Sequence, residues 1–341
     1  MDVLRAYLAC LRRDAALHVF VLAYAMAGLL VGVATGVPHK FAPLAYAGVL
    51  AGMAPPVVLA GTVLWALRSP KPLKAWRRSI SAIRPDTVAS LLLFASLTVF
   101  VGAFVSVKTM LPDMVPFNAD PHLADLDRAL HGRDPWLYTV ALLPAQMTQA
   151  LEALYFALWN LLLPSSILAV LLIPQLRPMR AQYVWTFLIA WAVLGNVLAG
   201  AFMSAGPVYF ELVTGDARFA GLMDYLARNS MAQEWRAYLW QSHIAGAAGA
   251  GSGISAFPSM HLANATMFVL LARRAHRWLM VAAIAFCAVV LFGSVHLGWH
   301  YAVDGYFSIA ATVVIWKIVG YVLGTIPNAC SCPLAATCPH S

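Results

Sequence analysis

A series of long apolar runs constrains the fold of this chain more than any other feature. A helix needs about 20 apolar residues to cross the hydrocarbon core of a bilayer. Runs of that kind fall near residues 18–36, 45–67, 87–107, 150–173, 184–203, 259–272, 278–295 and 303–326. Only 11% of the residues are charged, whereas soluble domains carry about 25%. The sequence therefore predicts an all-α fold, a polytopic membrane bundle of about eight transmembrane helices.

The apolar runs follow one another without a gap large enough for a soluble domain. We therefore predict an N-terminal two-span extension with a basic loop (1–85), one membrane core (86–326) and a cytoplasmic tail (327–341). The formal net charge is +8, which taken alone would be compatible with nucleic-acid binding. The cations cluster instead in short loops between apolar runs, where membrane topology accounts for them. We expect no nucleic-acid partner.

The distribution of Lys and Arg between alternate loops predicts the orientation. One side carries Arg5, Arg12, Arg13, Arg68, Lys71, Lys74, Arg77, Arg78, Arg84, Arg177, Arg180, Arg273, Arg274 and Arg277. The other carries Lys40, Lys108, Arg128, Arg133, Arg218, Arg228 and Arg236, diluted by acidic residues. Loops richer in Lys and Arg stay in the cytoplasm. The pattern predicts a multi-pass protein with both termini in the cytoplasm.

Two longer segments, 108–149 and 204–257, lie on the side opposite the basic loops. Each contains an amphipathic stretch, near 122–130 and 219–243, of the kind that lies in the membrane interface. Together these two segments, 108–149 and 204–257, are expected to form a roof that covers any site on that face. The stretch 245–253 is rich in Gly, Ala and Ser, and is expected to be a flexible approach to the next helix.

Two histidines and a carboxylate lie on the side opposite the basic loops, under this roof. His261 ends the segment Phe257-Pro-Ser-Met-His261 at the start of one run, and His300 and Asp304 lie at the start of another. Ionisable groups within membrane spans are costly and usually functional. Residues four apart share a helix face, so Asp304 can fix the tautomer of His300 and leave its Nε2 free to attack, as in a serine protease triad.

The same group of residues could supply a general acid and a binding site for an anion. His261 can protonate a leaving oxygen, and Ser259 with the free amides of a helix N-terminus can hold a phosphate. A zinc ion held by the two histidines and Asp304 is the alternative. The sequence lacks a His-Glu-x-x-His helix, and we predict neither metal nor cofactor. The site is expected on the extracytoplasmic (periplasmic or luminal) face.

The two motifs resemble those of a known group. Pro258-Ser-Met-His261 and His300-x-x-x-Asp304 are similar to the second and third motifs of the type 2 phosphatidic acid phosphatase superfamily. The segments Phe257–His261 and His296-Leu-Gly-Trp-His300-Tyr301 further resemble its inositol phosphorylceramide synthase branch. So does the upstream pattern Lys108…Pro112…Pro116-Phe117…Asp120…Asp127-Arg128…Asp134-Pro135. The resemblance covers roughly residues 86–326.

This resemblance implies a six-helix phosphatase-like core and a metal-free phosphohistidine mechanism. His300 would be the nucleophile, Asp304 its orienter and His261 the acid and base. Tyr301 would belong to the substrate site. His296 would either assist there or be a plain helix-end histidine. Lys108, a cation at the end of a span, would either supply positive charge to the site or extend toward the interface.

Departures from the family pattern point to the substrate. The phosphatases carry Lys-x6-Arg-Pro before the second motif, and residues 184–257 contain none. They also carry Ser-Arg where this chain has Gly293 and Ser294. A site with fewer cations favours a phosphodiester, which has one negative charge, over a phosphate monoester.

These observations predict a lipid phosphotransferase. It would move a phospho-head-group from a phospholipid donor to a lipid alcohol acceptor such as ceramide, in sphingolipid metabolism. A lipid phosphate or diphosphate phosphatase that uses water is the alternative. A transporter or scaffold is less favoured because matched broken spans are not evident.

The sequence leaves the roles of two groups of residues open. Asp120 and Asp127, together with Glu152, Tyr155 and Trp159, could bind a hydroxyl-rich head group, although a role as interfacial anchors is simpler. The tail cysteines are compatible with metal binding or lipidation, but are most simply part of a loose tail; they are Cys330, Cys332 and Cys338.

Overall fold

The computed structural model of the protein describes residues 2–44, 85–246 and 253–325, with isolated positions at 48, 51, 52 and 55. Apart from those positions, the predicted span 45–67, the basic loop that follows it and the tail with its three cysteines lie outside the described residues. Within the described ranges every regular element is helical, so the predicted all-α bundle is confirmed.

Six helices of the described part are long and apolar enough to cross a membrane. They are Leu4–Ala34, Pro85–Met114, Ala145–Leu172, Pro174–Ala201, Arg277–His296 and Ala302–Gly324. The protein is therefore an integral membrane protein. The predicted run 259–272 forms a helix of 16 residues, Met260–Ala275, which is shorter than a full span.

The α-helices are numbered in chain order within these ranges. They are α1 (Asp2–Ala34), α2 (Pro85–Met114), α3 (Asp120–His131), α4 (Trp136–Leu142), α5 (Thr148–Ala153), α6 (Trp159–Leu172), α7 (Arg180–Ala192), α8 (Ala199–Ala201), α9 (Phe210–Thr214), α10 (Ala220–Asn229), α11 (Gln233–Ile244), α12 (Met260–Ala275), α13 (Arg277–His296) and α14 (Ala302–Thr325). Two π-helical turns, Leu154–Leu158 and Val193–Leu198, join α5 to α6 and α7 to α8.

Two large buried apolar clusters in the described part of the chain hold the bundle together. The larger one lies among α2, α6, α7 and α12, with Phe100, Phe187 and Met267 nearly inaccessible. The second joins α3, α10 and the turn between α13 and α14. The amphipathic helix α10 contributes Leu222 and Leu226, both fully buried, and each such side chain stabilises the fold by about 1.5–3 kcal/mol. This part of the roof is thus packed onto the bundle.

A network of ion pairs marks one end of the bundle. Arg180 contacts Asp14 at 2.7 Å, and Arg13 and Arg177 contact Asp86 at 2.6 and 2.7 Å. This network ties α1 to the start of α2 and to the start of α7. All three arginines belong to the side for which the sequence predicts the basic loops.

Candidate active site

His300 lies in the tight turn between α13 and α14. Gly298 takes a positive φ of 70°, and a Cβ there would come within 2.8 Å of a Val208 methyl group. Only glycine combines that conformation with so close an approach. The His300 N–H donates to the Ser294 carbonyl at 3.1 Å, and the residue is only 7% exposed. The turn therefore holds the imidazole rigidly inside the protein.

The two polar groups near His300 Nδ1 are a backbone carbonyl and a carboxylate. Nδ1–H donates to the Ala256 carbonyl at 2.7 Å, and Asp304 Oδ2 is 3.5 Å away. That oxygen also accepts the Tyr301 N–H at 3.0 Å. Because the carbonyl can only accept, it fixes the tautomer and leaves the Nε2 lone pair free. Asp304 lies where its charge can stabilise a cationic ring.

Burial, with a further contribution from the charge of Lys108, lowers the pKa of His300 to about 3. Desolvation disfavours the charged imidazolium, and a nearby cation adds to that effect. The ring is therefore neutral at physiological pH, which is the protonation state that a nucleophile requires.

The structure brings His261 close to His300. The two ring centroids are 6.1 Å apart. His261 occupies the first turn of α12, and the Ser259 side chain caps this helix by accepting the Leu262 N–H at 3.4 Å. The structure thus brings His261, His300 and Asp304, which we call the trio, close together, with Ser259 at the N-terminus of the His261 helix.

Two aromatic rings, Tyr155 and Trp159, surround His261 and are buried, whereas the sequence favoured interfacial anchors over head-group binders for both. The Tyr155 ring stacks on the imidazole with centroids 4.5 Å apart, and the Trp159 ring lies 4.4 Å away at 38°. The Trp159 indole N–H also donates to the His261 carbonyl at 3.2 Å. The available signal was the spacing of four residues, which places both side chains on one helix face.

Ser204 fixes the peptide that holds His300. Its carbonyl accepts the Ala256 N–H at 2.8 Å, and its hydroxyl accepts the Phe257 N–H at 2.9 Å. Phe257 N–H and the Ala256 carbonyl belong to one planar peptide group. The hydroxyl therefore orients the carbonyl that His300 contacts.

Asp120 and Asp127 bind backbone amides. Asp120 accepts the N–H groups of Ala205 and Gly206, both at 2.8 Å, and the Tyr301 hydroxyl at 2.8 Å. Burial raises the pKa of this carboxyl group, while the N–H donors oppose the rise. Asp120 thus joins the segment after α8 to the His300 turn.

Asp127 likewise binds backbone amides, at the start of α14. Its two oxygens accept the N–H groups of Ala302 and Val303 at 2.7 and 2.9 Å, which are among the unpaired donors of a helix N-terminus. Both carboxylates are buried, so the interpretation of this pair as interfacial anchors was wrong. The described contacts assign them to holding the site together.

Three other predicted site residues occupy different surroundings. Lys108 Nζ donates to the Ser255 carbonyl at 3.4 Å, beside the peptide that holds His300. Tyr301 donates its hydroxyl to Asp120. His296 contacts Thr148 at 3.1 Å and packs against Tyr225 and Phe292, rather than against His261 or His300.

Glu152, one turn before Tyr155, likewise binds the roof. Its carboxylate accepts the Ser230 hydroxyl and the Met231 N–H, the latter at 2.9 Å. It therefore connects α5 to the start of α11. In the described ranges no group of three or more His, Cys, Asp or Glu side chains is arranged to hold a metal ion.

Comparison with known proteins places this geometry in a family. The family model described as PAP2 superfamily matches residues 121–318, more than half of the chain. The chain belongs to the PAP2 superfamily. This membership makes it a lipid enzyme of the phosphatase or phosphotransferase type. The match includes the three trio residues and both aromatic rings, and it begins after Lys108. No curated protein and no solved structure matches the chain.

Proposed function

We propose that this PAP2 protein is a phospholipid head-group transferase of the inositol phosphorylceramide synthase type. It would move a phospho-head-group from a phosphodiester lipid to a lipid alcohol such as ceramide. The observation that carries the proposal is the low positive charge of the site. Among the described residues, Lys108 is the cation whose charge acts on both His261 and His300.

The site charge favours a diester. A monoester dianion in a buried site needs compensating cations, since otherwise its desolvation costs several kcal/mol. At the position where the resembling phosphatases carry arginine, Ser294 is fully buried and donates its hydroxyl to the Leu291 carbonyl at 2.8 Å. One lysine matches the single charge of a phosphodiester.

The geometry supports a double displacement. His300 Nε2 attacks phosphorus, the P–O bond to a diacylglycerol-like alcohol breaks, and His261 protonates the departing oxygen. The lipid hydroxyl then attacks phosphorus and gives its proton to His261, and the P–N bond breaks. Asp304 and the Ala256 carbonyl stabilise the charge that develops on the His300 ring.

The test uses purified protein in detergent with labelled phosphatidylinositol, with and without ceramide, followed by lipid mass spectrometry. Phosphatidic acid is supplied in parallel. We expect labelled head group on ceramide and slow release of inorganic phosphate from phosphatidic acid. Faster phosphate release from phosphatidic acid than head-group movement would instead support a lipid phosphatase that uses water.

We also propose that both termini are cytoplasmic and that the trio faces the extracytoplasmic side. The arginine network formed by Arg13, Arg177 and Arg180 lies at the end of the bundle opposite His300, which supports this orientation. Asp216→Cys in a cysteine-free background should react with a membrane-impermeant maleimide in intact cells. Lys71→Cys, in the basic loop, should react only after lysis, and the reverse pattern would overturn the orientation.

A further inference from the structure

His261 lies between two aromatic rings, and proton transfer alone does not explain why they are there. Tyr155 and Trp159 both lie within 4.5 Å of it, measured between ring centroids. Tyr155 is fully buried, and within the described residues its hydroxyl has no hydrogen-bond partner. The ring face of Tyr155, rather than its hydroxyl, therefore makes the contact with His261.

A proton on His261 needs stabilisation in this setting. Desolvation opposes a positive charge there, and the charges of Lys108 and of a cationic His300 oppose it further. Asp304, the carboxylate of the site, lies beside His300 Nδ1. An aromatic face attracts a cation through its quadrupole, and tryptophan does so most strongly. Two such faces at van der Waals distance offset part of the cost of charging His261.

We propose that Tyr155 and Trp159 form an aromatic clamp that holds the His261 ring and stabilises its protonated form. They are positioning residues, and they act through His261 on proton delivery to the leaving alcohol. This inference rests on the proposed function, because it takes His261 as the general acid. It adds two residues that the motifs do not contain.

The backbone between the two rings supports a functional purpose. Tyr155 lies within the π-helical turn Leu154–Leu158, and Trp159 follows that turn directly. Turns of this kind are rare and often occur at functional sites. The Trp159 indole bond to the His261 carbonyl fixes the first turn of α12 as well as the ring, so the clamp holds the backbone and the side chain of His261 together.

The test depends on how much protonation the leaving group needs. A diacylglycerol oxygen leaves with a proton, whereas nitrophenolate leaves without one. The rate of leaving-group release in a single turnover, before the second displacement in which His261 acts as the base, is measured with phosphatidylinositol and with 4-nitrophenyl inositol phosphate. We expect Tyr155→Leu and Trp159→Leu each to slow the lipid substrate about tenfold, equivalent to ~1.4 kcal/mol, and to change the nitrophenyl substrate less than about twofold. A desolvated cation–π contact has this magnitude.

Two matched variants separate the ring face from general packing. Tyr155→Phe keeps the face and should behave as the wild type. Phe156→Leu makes a similar change on the same turn, but the Phe156 ring is perpendicular to His261 with centroids 6.4 Å apart, beyond the reach of about 6 Å of a cation–π contact. It should alter both substrates equally and only slightly. If Tyr155→Leu slows both substrates equally, Tyr155 acts only through packing and not by stabilising protonated His261, and the inference is overturned.

His261→Gln distinguishes failure of the clamp from failure of the proposed function. It should slow the lipid substrate far more than the nitrophenyl substrate. If His261→Gln shows this difference and Tyr155→Leu does not, the clamp alone is rejected. If His261→Gln slows the lipid and the nitrophenyl substrate equally, His261 is not the general acid, and the proposed role of the clamp is rejected as well.

Discussion

Replacement of Ser204 by alanine tests whether a backbone carbonyl orients the nucleophile. Ser204 is fully buried, and its hydroxyl accepts the Phe257 N–H at 2.9 Å. Without it a buried donor has no acceptor, which costs about 1–3 kcal/mol of stability. The same peptide group presents the Ala256 carbonyl to His300 at 2.7 Å. Rotation of that peptide moves the imidazole, and a displacement of about 1 Å can cost about 100-fold in rate.

We therefore expect Ser204→Ala to lower kcat for head-group transfer by about 10- to 100-fold with little change in KM. The control is Ser255→Ala on the same segment, since that hydroxyl makes only a half-buried 3.3 Å contact with the Phe257 carbonyl. It should change kcat less than about threefold. The assay is the initial rate of ceramide labelling by purified protein of unchanged elution profile. Wild-type turnover in Ser204→Ala, or an equal loss in Ser255→Ala, would refute the argument.

Three further outcomes follow from the site. His300→Ala should abolish both turnover and the acid-labile, base-stable phospho-adduct formed from labelled donor; full activity in this variant would exclude His300 as the nucleophile. Turnover should survive EDTA, since the trio fills the nucleophile, acid and base roles, and a loss restored by zinc or magnesium would show that a metal takes part. Because burial and Lys108 lower the pKa of His300 to about 3, the nucleophile stays neutral as pH falls. The kcat/KM for the nitrophenyl substrate should therefore stay level between about pH 7 and about pH 5, and a fall centred near pH 6.5, the ordinary pKa of histidine, would contradict this.

The spans were predictable because hydropathy is a property of contiguous sequence. The run predicted at 278–295 is the helix Arg277–His296, and the helix predicted from 259 begins at Met260 behind its Ser259 cap. By contrast, α1 begins at Asp2, well before the predicted 18–36. There the polar residues Arg13 and Asp14 make ion pairs with Asp86 and Arg180, and such long-range partners are not visible in a hydropathy pattern.

The trio itself could be found because its residues have unusual chemistry and fixed spacing. The group that holds His300 could not, because the Ala256 carbonyl is a backbone atom that every residue has. Asp120 and Asp127 carried a visible signal, but their targets are backbone amides too. For Tyr155 and Trp159 the spacing was readable. Their partner His261 lies on a distant segment, so the stacking depends on how α6 and α12 pack.

The contacts around His300 indicate that the segments between the spans, including the short helix α3, set the geometry of the site more than the spans do. Asp120 ties the segment after α8 to Tyr301, Asp127 holds the first amides of α14, and Val208 N–H donates to the Gly298 carbonyl at 3.0 Å. Buried charge-assisted bonds of this kind are strong and directional.

The region matched by the PAP2 superfamily contains Asp127, Val208 and His300, whereas Asp120 and Lys108 lie before it. His300 and most of the residues that hold it therefore lie in the matched region, and the cation beside them comes from a separate helix, α2. A substrate phosphate at His300 meets a neutral imidazole that is rigidly held and one lysine from α2. Under the proposed function this lysine accepts the single charge of a phosphodiester, so selectivity between esters should depend on Lys108 more than on the residues that hold His300.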